Sequence, residues 1–529
     1  MANGWMEINA SDYLFPLIIF SIICWLFFLS RIQRNGYLDK INATKALGFI
    51  LMLRTQKGLK LLDRISKPRK FWRIYGEVSL WVCRASMVFI ILFLFLAILL
   101  FIITGPTKDP MPVSTMIAVP GLNPVIPLGW GIFAFIVSLV IHEFGHGLLA
   151  RAHGMRLRSF GLLLLGPLPL GAFAEPEYDE LTRAPRKERE RMFAAGPSTN
   201  IFLAIICFIV LIFASHQFTA INQGMYAKGI IEHNESGANS STNLWGDESP
   251  LNAYDIITKI DEHPISDKES FDRVMDKYSA GDNVKLTTIP INNTNEVIIL
   301  NVTFGDAYEY NYDIWNNSDN REDLNDDGDI GKEDFQLVLE ENREFLEQMG
   351  QSFEPGDAFL GVSGLVSSTH GIDGLVGPFA PDSSGTLLQK VLITPFHIIQ
   401  LLFQPFENKG TAMNPFEESM LVAESTGLGG LLGTSNMILI VELCFWLIWV
   451  NILLGLTNLI PILPFDGGHL FKDMMHGMIE KMNRIKKLLG FKMWHPLSVQ
   501  NFVSKISGWS SLGLFLILFL MFLLPYLVS

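Results

Sequence analysis

Long apolar runs separated by charged loops dominate the 529-residue chain. A membrane-spanning helix needs about 20 mainly apolar residues. The runs that reach or approach this length are 13–30, 79–104, 130–150, 192–214, 437–460 and 510–528. This pattern predicts an α-helical polytopic membrane protein with about six transmembrane helices, and we expect the first run to remain as an anchor because no cleavage site follows it.

The charged loops predict the orientation. Residues 31–73 contain twelve Lys or Arg, and residues 151–191 and 472–505 are also basic. Basic loops remain on the cytoplasmic side, so we place all three there, with both termini and the long polar segment outside.

Within the first loop, residues 46–65 resemble an amphipathic helix on the cytoplasmic surface, with a buried linker helix as an equal alternative.

Composition supports this division. Hydrophobic residues make up 49% of the chain, which favours a membrane protein, and the net charge of −13 comes mainly from residues 217–389, where acids outnumber bases about three to one. Such an acidic, solvated segment gives no indication of nucleic-acid binding. The four cysteines have neither metal-type nor disulfide-type spacing, so we expect them to be packing residues.

These observations predict four regions. Residues 1–78 form an N-terminal anchor and a cytoplasmic amphipathic loop, 79–215 and 389–529 form the two halves of a membrane core, and 216–388 form an inserted outer domain. Residues 390–403 are apolar but short and contain Pro395 and His397. We interpret them as an interfacial segment, because a seventh span would break the topology.

The third apolar run contains His142-Glu-Phe-Gly-His146. On a helix, His142 and His146 lie one turn apart on one face and can bind one metal ion, with Glu143 beside it as a general base for water. A chance match is the alternative. Ionisable side chains at bilayer depth cost about 2.5 kcal/mol or more each, so this cluster favours a metal site.

A third ligand is predicted where the fifth run ends, in the stretch Asn458-Leu-Ile-Pro-Ile-Leu-Pro-Phe-Asp466-Gly-Gly-His469. The predicted topology brings Asp466 to the depth of His146, which leaves a fourth metal position open for water. Asn458 is suitably placed to hydrogen-bond a developing oxyanion. A single closed cluster at one depth argues against a metal transporter, which needs several metal-accepting groups along a pore.

Two shorter segments accompany these motifs. Residues 160–173 are apolar but too short and too rich in Gly and Pro to span, which favours a re-entrant hairpin whose edge could pair with a substrate backbone. Ala195-Gly-Pro-Ser-Thr-Asn200 begins the fourth run with small residues. For this second segment we favour close helix packing over a direct catalytic role.

The outer segment contains two recognisable patterns. Residues 227–304 resemble a PDZ domain of the protease-associated kind, with an insertion at 234–245 where the peptide-binding loop should lie; a generic small α/β module is the alternative. N-x-S/T triplets agree with an outside location, and they begin at Asn234, Asn239, Asn292, Asn301 and Asn316.

An acidic stretch in the same segment has the spacing of a Ca²⁺ loop. Its oxygen ligands at positions 1, 3, 5, 7 and 12 are Asp323, Asn325, Asp327, Asp329 and Asp334. Gly328 at position 6 supplies the sharp turn. The stretch resembles an EF-hand or dockerin loop followed by a helix at 333–349, without a convincing incoming helix; an acidic turn without an ion is the alternative.

Taken with the A-G-P-x-x-N segment and the PDZ-like insertion, the HEFGH and N-x-x-P-x-x-P-x-D-G-G-H motifs resemble the site-2 protease family of intramembrane zinc metalloproteases. The resemblance covers residues 130–214 and 437–469. It implies a metalloendopeptidase that cleaves single-span membrane proteins in regulated intramembrane proteolysis, usually after another protease has trimmed the outer part of the substrate.

Applied to this sequence, the resemblance assigns zinc to His142, His146 and Asp466, general base catalysis to Glu143, and transition-state stabilisation to Asn458. His469 matches a position without an established ligand role. A catalytically inert membrane scaffold that presents the outer domain is the alternative function, and the intact Glu143 argues against it. The metal site should lie near the cytoplasmic face.

Overall fold

The computed structural model describes residues 10–46, 48–56, 58–106, 112–116, 119–166, 168–231, 251–293, 296–318, 321–325, 328–343, 346, 354–489 and 491–528. The chain forms two compact units, with Met1–Val210 and Glu442–Ser529 in the first and Leu211–Val441 in the second. Asn234, Asn239 and Asp327 lie outside the described residues.

Helices account for most of the described chain. In order they are α1 (Ala10–Arg34), α2 (Tyr37–Lys40), α3 (Leu59–Ile65), α4 (Arg69–Thr104), α5 (Val113–Met116), α6 (Leu128–Ala152), α7 (Tyr178–Arg183), α8 (Arg186–Ser215), α9 (Lys268–Met275), α10 (Ala307–Asn316), α11 (Lys332–Glu341), α12 (His370–Val376), α13 (Leu387–Glu407), α14 (Pro415–Ser419), α15 (Gly427–Leu432), α16 (Thr434–Asn458), α17 (Asp466–Leu488) and α18 (Pro496–Val528).

Among the described residues, six helices are long and apolar enough to cross a membrane: α4, α6, α8, α13, α16 and α18. Four of them contain a predicted run, α16 contains all but the last two residues of the run 437–460, and the remaining predicted run, 13–30, lies within α1. The predicted fold class, a polytopic helical membrane protein with an inserted domain, is confirmed.

Helix α13 corrects our description of residues 390–403 as short and interrupted. The helix begins after Thr386, which forms a capping box with Gln389, and it continues through Pro395. His397 also lies within the helix. Its Nε2 donates to the Leu375 carbonyl at 3.1 Å, which connects α13 to α12. The segment is therefore a continuous helix of spanning length.

The first unit also contains a four-stranded antiparallel sheet. Its strands are β1 (Ala43–Ala46), β2 (Ile50–Thr55), β3 (Leu157–Leu165) and β4 (Leu168–Pro176), in that order across the sheet. The predicted helix at 46–65 is therefore wrong: the apolar residues of β2 pair with β3 in the register Leu53↔Leu162, and only α3 is helical. The apolar stretch at 160–173 does form a hairpin, in which β4 pairs with β3.

Three helices of the first unit pack around a small apolar core. Leu80 and Cys83 of α4, Ala194 of α8 and Leu470 of α17 belong to this buried cluster. Close packing of these helices brings together the segments from which the candidate site is built.

The second unit is organised around an antiparallel sheet. The strand order is β10 (Ile298–Thr303), β9 (Asn283–Ile289), β7 (Ile256–Ile260), β6 (Met225–Ile230) and β13 (Val362–Ser367), with β8 (His263–Pro264) paired to β7. Helix α9 begins at a capping box of Asp267 and Ser270, and its Val274 packs into the apolar core beneath the sheet. Two short pairs, β11 (Gly305–Asp306) with β12 (Ala358–Phe359) and β5 (Phe218–Ala220) with β14 (Leu421–Ala423), complete this unit.

The acidic loop of the second unit lies between two helices. Helix α11 follows the loop, as predicted. The expectation that no helix leads into the loop is wrong, because α10 precedes it. The two helices pack through aromatic rings, with Tyr308 and Trp315 of α10 against Phe335 of α11 at centroid distances of 5.3 and 5.5 Å. The loop is therefore held by a helix–loop–helix unit.

Candidate metal centre

Helix α6 brings the two histidines of the HEFGH motif together. His142 and His146 lie one turn apart, with ring centroids separated by 4.8 Å and Nε2 atoms separated by 3.2 Å. The His146 Nδ1 is 2.8 Å from the Met192 carbonyl, which can only accept, so Nδ1 carries the proton. In the neutral imidazole this leaves the lone pair of Nε2, which faces His142 and Asp466, available to a metal ion.

Asp466 is the first residue of α17, and its carboxylate completes the cluster. Its Oδ2 lies 3.2 Å from Nε2 of His142 and 3.2 Å from Nε2 of His146. The two following glycines permit this approach: a Cβ at Gly467 would lie 2.4 Å from the Leu459 carbonyl carbon, and the space at Gly468 is similarly closed by backbone. The D-G-G sequence thus allows the first turn of α17 to pack against the end of the preceding span.

The donor geometry fits a metal ion. A tetrahedral zinc with ligands at 2.0–2.1 Å separates those ligands by about 3.3 Å, which is close to the 3.2 Å spacing of the three atoms. Two imidazoles and one carboxylate are also the ligand types that zinc accepts. Within the described chain, these three residues are a group of side chains able to hold a metal ion.

Gly196 is a site residue that sequence analysis missed. A Cβ built there would lie 2.3 Å from the His146 Nε2 and 2.7 Å from the His142 Nε2, so α8 touches the metal-facing side of both rings. Gly145 of α6 also packs closely against α8: a Cβ built there would lie 2.8 Å from the Ala195 carbonyl oxygen. The A-G-P sequence was the available signal, and its structural effect is the close helix packing that we favoured.

Glu143 lies beside the cluster and contacts the hairpin. Its Oε2 accepts a hydrogen bond of 2.7 Å from the backbone N–H of Ala174 in β4. Among the described residues β4 pairs with β3 alone, so its other edge is unpaired and borders the carboxylate. A cavity of about 350 Å³ opens here, and its lining includes His142, Glu143, His146, Asn458, Asp466 and His469.

The two remaining polar residues of this cavity have different environments. Asn458 donates one amide N–H to the Leu454 carbonyl at 3.0 Å, and an amide has a second N–H. His469 stacks on Phe193 of α8, with centroids 4.7 Å apart and ring planes within 7°. Burial lowers the pKa of the His469 imidazole, so we expect the ring to be neutral near pH 7.

Comparison with known proteins agrees with this geometry. The profile of peptidase family M50, the site-2 protease family, matches residues 130–493, which include every residue of the cluster. The chain belongs to peptidase family M50. It is also similar to an uncharacterized protein of Methanocaldococcus jannaschii, with 32% identity over 199 residues that cover 37% of this chain. The chain spans about half of that relative's length, 51%.

Membership of family M50 has general consequences. Peptidases of this family are zinc metalloproteases, so the family supports an intramembrane metalloprotease, and the cluster of His142, His146 and Asp466 agrees with that chemistry. The apolar helices and the family together place the chain among integral multi-pass membrane proteins.

Proposed function

We propose that this M50 peptidase hydrolyses peptide bonds within the transmembrane segments of membrane proteins, as in regulated intramembrane proteolysis. The observation that carries the proposal is the convergence of His142, His146 and Asp466 at 3.2 Å, with a carboxylate beside them on a helix of spanning length. Ionisable groups within membrane-spanning helices cost free energy, so their presence there indicates a functional site.

The residues around the cluster take distinct roles. His142, His146 and Asp466 would hold zinc, which would act as a Lewis acid and lower the pKa of a water molecule. Glu143, oriented by the Ala174 N–H, accepts the proton of the attacking water and delivers it to the leaving amine. The second amide N–H of Asn458 stabilises the oxyanion that forms at the substrate carbonyl.

The unpaired edge of β4 provides a place for the substrate backbone. A transmembrane helix must open before its peptide bonds can be attacked, and the released backbone groups then need hydrogen-bond partners. An extended segment added to β4 would satisfy them by strand pairing, next to Glu143. This arrangement favours substrates whose spanning helices unwind easily, for example at Gly or Pro.

Replacing Asp466 by Ala tests the metal site. Losing one of three protein ligands should reduce bound zinc in the purified full-length protein from about one equivalent to near zero. Elemental analysis after dialysis against a weak chelator measures this loss. Asp179→Ala, which removes an exposed carboxylate from α7, should retain the metal. Stoichiometric zinc in the Asp466 variant would exclude this residue as a ligand.

The partners of the enzyme are proposed from its family and domain order. We infer single-span substrates that another protease has already trimmed, in an orientation with the metal site near the cytoplasmic face and the inserted domain, residues 216–388, outside. Because an inserted folded domain excludes bulky substrate domains, deleting residues 227–362 should leave cleavage of a trimmed substrate unchanged and allow cleavage of an untrimmed one. Equal losses for both substrates, with zinc retained, would instead indicate that the domain recruits substrate.

The acidic loop of the second unit supports a proposed Ca²⁺ site. The Oδ2 of Asp323 accepts from the Gly328 N–H at 2.8 Å, and Gly328 has a positive φ of 87°, as a Ca²⁺ loop requires at its turn. The Gly331 N–H holds the pKa of Asp334 below its usual value, so this residue remains a carboxylate at neutral pH.

A calcium titration of the intact protein by calorimetry tests this site. We expect binding at one site, and Asp323→Ala combined with Asp327→Ala should remove it, because both positions carry predicted oxygen ligands. Glu322→Ala removes an adjacent acid outside the ligand spacing and serves as the control. Absence of binding heat in the unmodified protein would favour an acidic turn without an ion.

A further inference from the structure

Helix α17, which begins with Asp466, lies against the first part of α8. Their contacts pair residues in opposite order along the two sequences, so the helices are antiparallel. Outward from the metal cluster, the pairs are Phe193 with His469, Arg189 with Asp473, and Arg186 with Glu480.

The middle pair has the most restrictive geometry. Arg189 donates from Nη2 to Oδ1 of Asp473 at 2.7 Å and from Nε to Oδ2 at 3.3 Å. Its Nη1 donates to the Ala184 carbonyl at 3.0 Å, which fixes the guanidinium at the start of α8. The side chains of Arg189 and Asp473 are only 26% and 13% exposed. A bidentate pair of this kind fixes both distance and orientation.

This pair bears on the metal cluster through helix geometry. Asp473 follows Asp466 by two turns on the same face of α17, about 10.5 Å along its axis. Sliding α17 by a single residue would move Asp466 by about 1.5 Å, which is large against the 3.2 Å contacts to the histidines. Apolar packing of α17 through Leu470 is non-directional and does not fix this position alone.

We propose that Arg189 is a positioning residue: through Asp473 it sets the axial position of α17 and thereby places the Asp466 carboxylate against the two histidines. The inference rests on the proposed metal site. It assigns a function to a charged pair that lies outside both sequence motifs.

The test compares Arg189→Ala and Asp473→Ala in full-length protein loaded with Co²⁺. We expect metal affinity to fall roughly tenfold or more, the usual effect of removing a group that orients a ligand, and the visible absorption of bound Co²⁺ to change. Exchanging the charges with Arg189→Asp and Asp473→Arg should restore most of the affinity. Arg189→Lys should have an intermediate affinity, because Lys keeps the charge but lacks the bidentate fork.

Arg156→Ala is the matched control, because it removes an ion pair of 2.6 Å to Glu180 that does not involve α17. It should leave affinity and spectrum unchanged. Wild-type affinity and spectrum in Arg189→Ala would overturn the inference, as would a loss that neither the exchanged pair nor Arg189→Lys restores. Asp466→Ala, measured in parallel, separates the two hypotheses: normal metal binding in that variant contradicts the proposed function itself.

Discussion

Replacing Glu143 by Gln should abolish peptide hydrolysis while the protein retains its metal. The amide keeps nearly the same size and can still contact the Ala174 backbone, but it cannot accept a proton from the attacking water. Removing a general base reduces catalysis by about 10²–10⁴-fold. The ligand atoms belong to His142, His146 and Asp466, so zinc content should remain at the level of the unmodified protein.

The measurement is cleavage of a trimmed single-span substrate by purified protein in detergent, with zinc determined in the same samples. Glu180→Gln is the control for the loss of a carboxylate, because Glu180 forms an ion pair with Arg156 and is not one of the residues of the cluster. Undiminished hydrolysis by Glu143→Gln would exclude this residue as the base. An unmodified protein that binds zinc but cleaves no membrane substrate would favour the inert scaffold.

The metal cluster was predictable because its residues occur in short motifs. The spacing of His142 and His146 determines their relation on any helix, and the predicted topology placed Asp466 at the same depth. The contacts of Gly196 and Met192 were not predictable in this way. They depend on how closely α8 approaches α6, and helix separation is set by tertiary packing that no local pattern records.

Two segments differ from their sequence predictions, each for its own reason. Residues 50–55 form β2 because they pair with β3, more than a hundred positions later in the chain, and such long-range pairing overrides a local amphipathic pattern. The start of α13 did have a local signal, the capping box of Thr386 and Gln389. Pro395 argues against a helix, because a proline removes a hydrogen-bond donor and its ring crowds the preceding turn, yet α13 continues through it.

Replacing Gly196 by Ala should strongly weaken metal binding. The added methyl group would lie 2.3 Å from the His146 Nε2 and 2.7 Å from the His142 Nε2, so both ligand atoms must move away from their shared position. The usual advantage of Ala over Gly within a helix does not apply here, because the new Cβ would also crowd the ring of Pro197, the next residue of α8. We therefore expect at least a hundredfold loss of zinc affinity in a metal-free protein that still folds and melts cooperatively.

Zinc affinity by chelator competition and melting of the metal-free protein together test this prediction. Gly129→Ala is the matched control. Gly129 lies on α6, the helix that carries the histidines, and a methyl group there would meet no neighbouring atom within 4 Å. It should change neither quantity appreciably. Normal zinc affinity in Gly196→Ala would mean that α8 can retreat from the cluster, and the close approach of α8 to the histidines would then have no role in metal binding. Loss of affinity in a variant that still folds would instead identify the glycine of the A-G-P segment as the residue that makes room for the metal ligands.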